Sequence, residues 1–359
     1  MKILVTGNMG YVGPTVTAHL RQTIPSAEIV GVDSGLFAHC LTQQALPERL
    51  LDSQVFADVR DLPEAVFQGV DAVVHLAAVS NDPMGGRFEA VTDEINHRAT
   101  VKTASMAAKA GVKAFVFASS CSMYGFAEGG ARRETDALNP LTAYARSKVA
   151  AEIGLAEIAR ETGLRVSALR FSTACGFSGR TRLDLVLNDF VASALTTGKV
   201  SVLSDGTPWR PLIHVRDMAR AIEWSLARNG ERFLAVNVGT ESWNYQVREL
   251  ADAVAQAIPG TTVDINRDAP PDRRSYKVNF DLYRSIAPSH QPLVTLSEAV
   301  EDLKIGLSSY GLRDANYRNS GLVRLNVLSG AIDAGTLSSD LRFVKVEDQQ
   351  PLMRQRSVA

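Results

Sequence analysis

The first half of the chain alternates short apolar runs with longer stretches of helical character. KILVT (2–6), EIVGV (28–32), QVFAD (54–58), DAVVHL (71–76), KAFVFAS (113–119) and RVSALRF (165–171) are largely unbroken runs of Val, Ile, Leu, Phe and Ala rather than apolar–polar alternations. Such runs predict parallel strands covered by helices on both faces, and so a doubly wound α/β sheet. A helix is expected from about Tyr11, and two long ones over EINHRATVKTASMAAKAG (94–111) and AYARSKVAAEIGLAEIARETG (143–163), each closing on a glycine suited to a C-cap. Their apolar or alanine-rich faces suit sheet packing and also a homodimer seam. Composition shifts after residue 172, where GFSGRTRLDL (176–185) and SDGTPWRPL (204–212) read as loops. FLAVNVG (233–239) predicts one more buried strand, returning to the first sheet. The expected organisation is a sheet domain of 1–172 with 212–240, a smaller α/β lobe of 173–211 with 241–312, and an extension, 313–359, with no function legible in it.

A chain of 359 residues is long enough for these two lobes. A hydrophobic content of 45%, a charged content of 21% and a net charge of -1 provide no field for nucleic acid or an anionic membrane, so small or nucleotide-like partners are expected. MKILVTG passes straight into polar and glycine residues, unlike a secretory signal, and no stretch has membrane-spanning length; a cytoplasmic location is expected. Cys40, Cys121 and Cys175 lack C-x-x-C spacing, which argues against a disulfide frame or a zinc site and leaves no metal expected.

TGNMGYVG (6–13) follows the first strand and opens the first helix, with glycines at 7, 10 and 13. That spacing permits a tight turn, close approach to a pyrophosphate and tight helix packing, while the helix N-terminus supplies N–H groups. Asp33 ends the second strand, where a carboxylate can accept from an adenosine ribose, and no lysine or arginine occurs from Gly31 to Glu48 to welcome a 2′-phosphate. NAD is expected as cofactor. Asp58 is placed to reach an adenine amino group, or equally to cap the following helix. Ala77 and Ala78 would let a cofactor lie against the backbone. In YARSK, Tyr144 and Lys148 share one helix face at i and i+4. A catalytic tyrosine must ionise far below its usual pKa of about 10, which a nearby ammonium and a bound nicotinamide cation favour.

With HLAA (75–78), Asn96 in EINHRAT, SSCSMYG (119–125), RFSTACG (170–176) and RPLIHVRDMARA (210–221), these motifs resemble, in order and over about 300 residues, the extended short-chain dehydrogenase/reductases, specifically the NAD-dependent nucleotide-sugar epimerase/dehydratase group. The resemblance implies Tyr144 as acid/base, Lys148 on the nicotinamide ribose and Ser120 on the oxygen being oxidised. It implies a cofactor site of Gly7, Gly10, Tyr11, Val12, Gly13, Asp33, Asp58, Val59, Leu76, Ala77, Ala78 and Asn96 together with Tyr144 and Lys148. Substrate contacts would come from Ser80, Ser122, Thr173 and Asn188, and Arg210 would bind the sugar nucleotide's pyrophosphate, with Arg273 or Arg274 sharing that task. Two positions depart from the relatives: Thr173 replaces an asparagine, and Ser80 a lysine.

The resemblance implies hydride removal, usually from C4 of the sugar, as the shared first step. A 4,6-dehydratase then needs an Asp-Glu pair directly after the hydroxyl residue; here Ser120 is followed by Cys121, Ser122 and Met123. The expected activity is therefore a nucleotide-sugar epimerase of carbohydrate biosynthesis. A dehydrogenase or 4-ketoreductase using NAD or NADP is the alternative, and a dinucleotide-binding regulator without turnover a further one.

Overall fold

A computed structural model describes residues 1–127, 129–269 and 274–344. The apolar runs form β1 (Lys2–Thr6), β2 (Glu28–Asp33), β3 (Ser53–Phe56), β4 (Ala72–His75), β5 (Ala114–Ser120) and β6 (Arg165–Phe171). The later elements are β7 (Thr173–Cys175), β8 (Lys199–Val202), β9 (Trp209–His214), β10 (Phe233–Val238), β11 (Asn244–Gln246) and β12 (Thr262–Ile265). The helices are α1 (Gly13–Thr23), α2 (Asp82–Arg87), α3 (Glu89–Asp93), α4 (Thr100–Lys109), α5 (Ala143–Glu161) and α6 (Val186–Thr197). They continue with α7 (Val215–Ala227), α8 (Val247–Ala257), α9 (Asp281–Ile286), α10 (Leu296–Tyr310) and α11 (Arg324–Asp333).

Seven strands form a parallel sheet in the order β10-β6-β5-β4-β1-β2-β3. The unbroken apolar runs follow from burial on both faces. Ile3 and Val5 pack with Val16 and Leu20 of α1 and Ile222 of α7, while Leu4 joins Ala104 of α4 and Ala151 and Leu155 of α5. The chain's direction of travel across the sheet reverses between β1 and β4, which pair with Thr6 opposite His75. Loops leaving such a switch point diverge and open a crevice beyond the carboxyl ends of the strands. Gly7 allows the two loops to touch: its φ is +75°, and a Cβ there would sit 2.5 Å from Ala77 N.

A second core gathers Leu187 and Val191 of α6, Leu250 and Val254 of α8, and Leu303 and Leu307 of α10 around Val200 and Val202 of β8. Tyr317 and Leu322, beyond α10, belong to it as well. The chain then returns to the first lobe, where Leu328 of α11, Leu337 and Leu341 pack on Phe88, Val91 and Ile95.

Two helices differ from expectation. The first begins at Gly13 rather than near Tyr11, with Pro14 in its first turn, because Gly10 to Val12 form the turn itself. The helix expected from 94 starts as a π turn over Glu94–Ala99, running from α3 into α4. The widened turn carries Asn96 to Val79, whose N–H donates to Oδ1 at 2.8 Å and whose carbonyl accepts from Nδ2 at 2.9 Å. Among the described residues, no helix is long and apolar enough to cross a membrane.

Candidate active site

A cavity of about 780 Å³ lies at the carboxyl ends of the central strands and runs towards the second lobe. Gly10, Tyr11 and Val12 line it at the start of α1. Val12, the N-cap, offers no side-chain acceptor, and the first turn holds no acidic residue. Among the described residues no side chain caps this end, so its N–H groups and the positive end of α1 are open to an anion. Asp33 accepts from Met9 N at 3.0 Å and Gly35 N at 2.8 Å, and burial nonetheless raises its pKa. Arg180 reaches this neighbourhood from far along the chain, yet its guanidinium is held by Glu48 at 2.7 Å.

Tyr144 stands in the first turn of α5, whose N-cap Thr142 accepts from Ala145 N at 3.1 Å and donates to Asp82 at 2.7 Å. Lys148, one turn on, donates Nζ to Ala118 O at 2.7 Å and lies 5.7 Å from the Tyr144 ring. Burial pulls the ammonium down to about 7. Burial also pushes the Tyr144 phenol up to about 12, opposed by Ser120 and by the charge of Arg182. Ser120 ends β5, caps the 3-10 turn Cys121–Tyr124, and donates to Ser122 Oγ at 2.9 Å. Both serines line the cavity, whereas Cys121 and Met123 are fully buried behind it.

The sequence profile described as the NAD dependent epimerase/dehydratase family matches residues 3–239. The chain belongs to this family. It is 28% identical over 271 residues, 70% of this chain and 80% of the relative, to UDP-glucose 4-epimerase of Rhizobium meliloti. Over 297 residues, covering 79% of this chain and 84% of the relative, it is 28% identical to dTDP-glucose 4,6-dehydratase of Streptomyces niveus. A solved structure of MoeE5 with UDP-glucuronic acid and NAD superposes with a TM-score of 0.73 at 26% identity, covering 86% of this chain and 99% of MoeE5.

The family's cofactor is NAD, and the residues present fit it: an uncapped helix N-terminus for the diphosphate, with Asp33 beyond it on the cavity wall. Asp58, Val59, Leu76, Ala77 and Ala78 line the same cavity. Asp58 also caps the turn after β3, and its carboxylate is gripped by Arg60 at 2.6 Å. Gly13 lies behind the turn, where a Cβ would sit 2.1 Å from Asn8 O. Asn96, expected at the cofactor, instead spends its amide on Val79 and on Ser147 Oγ at 3.1 Å, holding the loop after β4 from behind.

Of the residues expected on the substrate, Ser80, Ser122, Thr173, Arg210 and Arg274 line the cavity. Arg274 pairs with Asp82 at 3.0 Å, and Arg273 lies outside the described residues. Asn188 does not itself line the cavity but sits behind Tyr11 and Arg182: it accepts from Gly176 N at 3.0 Å and donates to Tyr11 OH at 3.1 Å and Arg182 O at 3.0 Å. Arg182 escapes a reading of the sequence, where it sits in an apparent loop. It is buried at the centre of the site, paired with Asp184 at 2.6 Å and donating to Ser80 Oγ at 2.8 Å. The only local signal is a pair of arginines in a glycine-bounded loop just after a strand.

Proposed function

We propose that the chain is a nucleotide-sugar epimerase that inverts a sugar hydroxyl, at C4, through a transient keto-sugar. The grouping of Ser120, Tyr144 and Lys148 on one cavity wall carries this reading. Tyr144 takes the hydroxyl proton, and Ser120 orients the same oxygen by hydrogen bonding. Bound NAD would supply the hydride acceptor and donor, and Tyr144 would give its proton back to the same oxygen as the hydroxyl re-forms in the inverted configuration. The buried phenol stays at about 12 even with the charge of Arg182 acting on it, so to act as a base it needs a further cation, which an oxidised nicotinamide bound beside it would supply. Arg210 and Arg274 would hold the nucleotide diphosphate, and Thr173 and Ser122 the sugar. Dehydration is disfavoured because the two positions directly after Ser120 hold a buried thiol, Cys121, and a hydroxyl, Ser122, and no carboxylate. Asp82, the carboxylate that bears on Tyr144, is already bonded to Thr142 and Arg274.

The test is a panel of UDP-, GDP-, CDP- and dTDP-sugars, read by product stereochemistry and NADH absorbance. An inverted product without net NADH is expected, with Tyr144→Phe slowing turnover by about 10²- to 10⁴-fold. Stoichiometric NADH would identify a dehydrogenase, and loss of water a dehydratase. Bound NAD with no turnover, unchanged in Tyr144→Phe, would identify a regulator. A homodimer through the outer faces of α4 and α5, where Ile153 is 60% exposed, belongs to the same proposal; a one-chain mass at micromolar concentration rejects it.

A further inference from the structure

The segment after α10 contributes Arg318, Val323, Arg324, Leu328 and Leu341 to the wall of the cavity, and its later part packs beside the residues that follow Asp33. Arg60, which grips Asp58, donates to Asp340 O at 2.8 Å and Leu341 O at 3.4 Å, and Arg342 pairs with Asp61. Leu328 and Leu341 line the cavity beside Leu36 and Phe37, shortly after Asp33. Arg324, the first residue of α11, lines it too and is only 2% exposed. Its guanidinium lies 5.3 Å from the centroid of the Phe37 ring.

Among the described residues the hydrogen-bond partners of Arg324 are all neutral carbonyls. Nη1 donates to Gly321 O at 2.9 Å, and Nη2 to Arg180 O at 2.7 Å and Thr181 O at 3.3 Å. Among the described residues no carboxylate lies within ion-pair distance of it. The neighbouring guanidinium groups are matched, Arg180 by Glu48 and Arg182 by Asp184. Burial lowers Arg324 to about 10, so it remains charged at neutral pH. A buried cation without a counter-ion is costly, and an arginine has about five N–H donors, so it can bind more than these three carbonyls. An anion in the cavity would supply what is missing.

We propose that Arg324 binds a phosphate group of the dinucleotide, adding a cation from the C-terminal segment to the N–H groups at the start of α1. This rests on the cavity being the NAD site. The anchoring of the segment through Phe37, Arg60 and Asp58 favours the dinucleotide over the nucleotide sugar as the source of the phosphate.

The experiment titrates ADP, adenosine and UDP into wild type and Arg324→Met, a change that removes the charge and keeps the bulk. ADP affinity is expected to fall about 10- to 100-fold, the loss of a charge-assisted contact, while adenosine and UDP stay within about twofold. Unchanged ADP affinity overturns the proposal, as does an equal loss for adenosine, which would mean a damaged wall, or a loss confined to UDP. Hydrogen exchange on wild type gives a readout that needs no variant: ADP should slow exchange in 324–333 and adenosine should not, and equal protection by both overturns the proposal. If wild type binds neither ADP nor NAD, the reading of the cavity itself fails instead.

Discussion

Lys148 reaches Ala118 O from a position nearly without solvent, and the displacement of its pKa to about 7 has a consequence for stability. An unfolded lysine holds its proton to about pH 10.4, so between pH 7 and 10 the unfolded chain binds more protons at this site than the folded one. Stability therefore rises with pH across that window, and the penalty is complete below it. Without cofactor, Lys148→Met should raise the melting temperature relative to wild type more at pH 6 than at pH 9.5; parallel pH profiles would discard this account. Tyr144 and Lys148 are legible in the sequence because i,i+4 spacing is a local fact. Arg182 is not, since its partner Ser80 lies 102 residues away. Asn96 and Asn188 have the right residue type near the right place, but only the structure shows their amides engaged by Val79 and Ser147, and by Gly176, Tyr11 and Arg182.

At the scale of the element, β1 and α1 are tied through a turn that admits no side chain at Gly13. Its Cβ would meet the backbone of Asn8 at 2.1 Å, where no flexible group can give way. Gly13→Ala should cost about 3 kcal/mol or more in chemical denaturation, at the upper end of overpacking changes. Gly86→Ala in α2 is the control: with nothing within 4 Å, it should be neutral or gain up to about 1 kcal/mol. Equal effects of the two would contradict the packing argument. Strands were easy to read because burial on both faces demands unbroken apolar runs. The π turn was not, because one widened turn at Glu94–Ala99 leaves too little periodicity to distinguish from an ordinary helix.

On the scale of the whole molecule, the switch between β1 and β4 sets where the cavity forms, and alternating strands and helices announce that much. What the pattern does not reveal is the return of the last segment to the first lobe. Arg60 and Asp340 are 280 residues apart, and neither has a local signature. The contacts of this segment impose an order in time. A chain emerging from the ribosome completes its parallel sheet once β10 is out, but residue 341 follows about a hundred residues later. At roughly 5–20 residues per second this leaves an interval on the order of 5–20 s. During it the newborn protein has its nucleotide cleft without Arg324, Leu328 and Leu341 on its wall, so a dinucleotide met on the ribosome is held by the sheet-end loops alone.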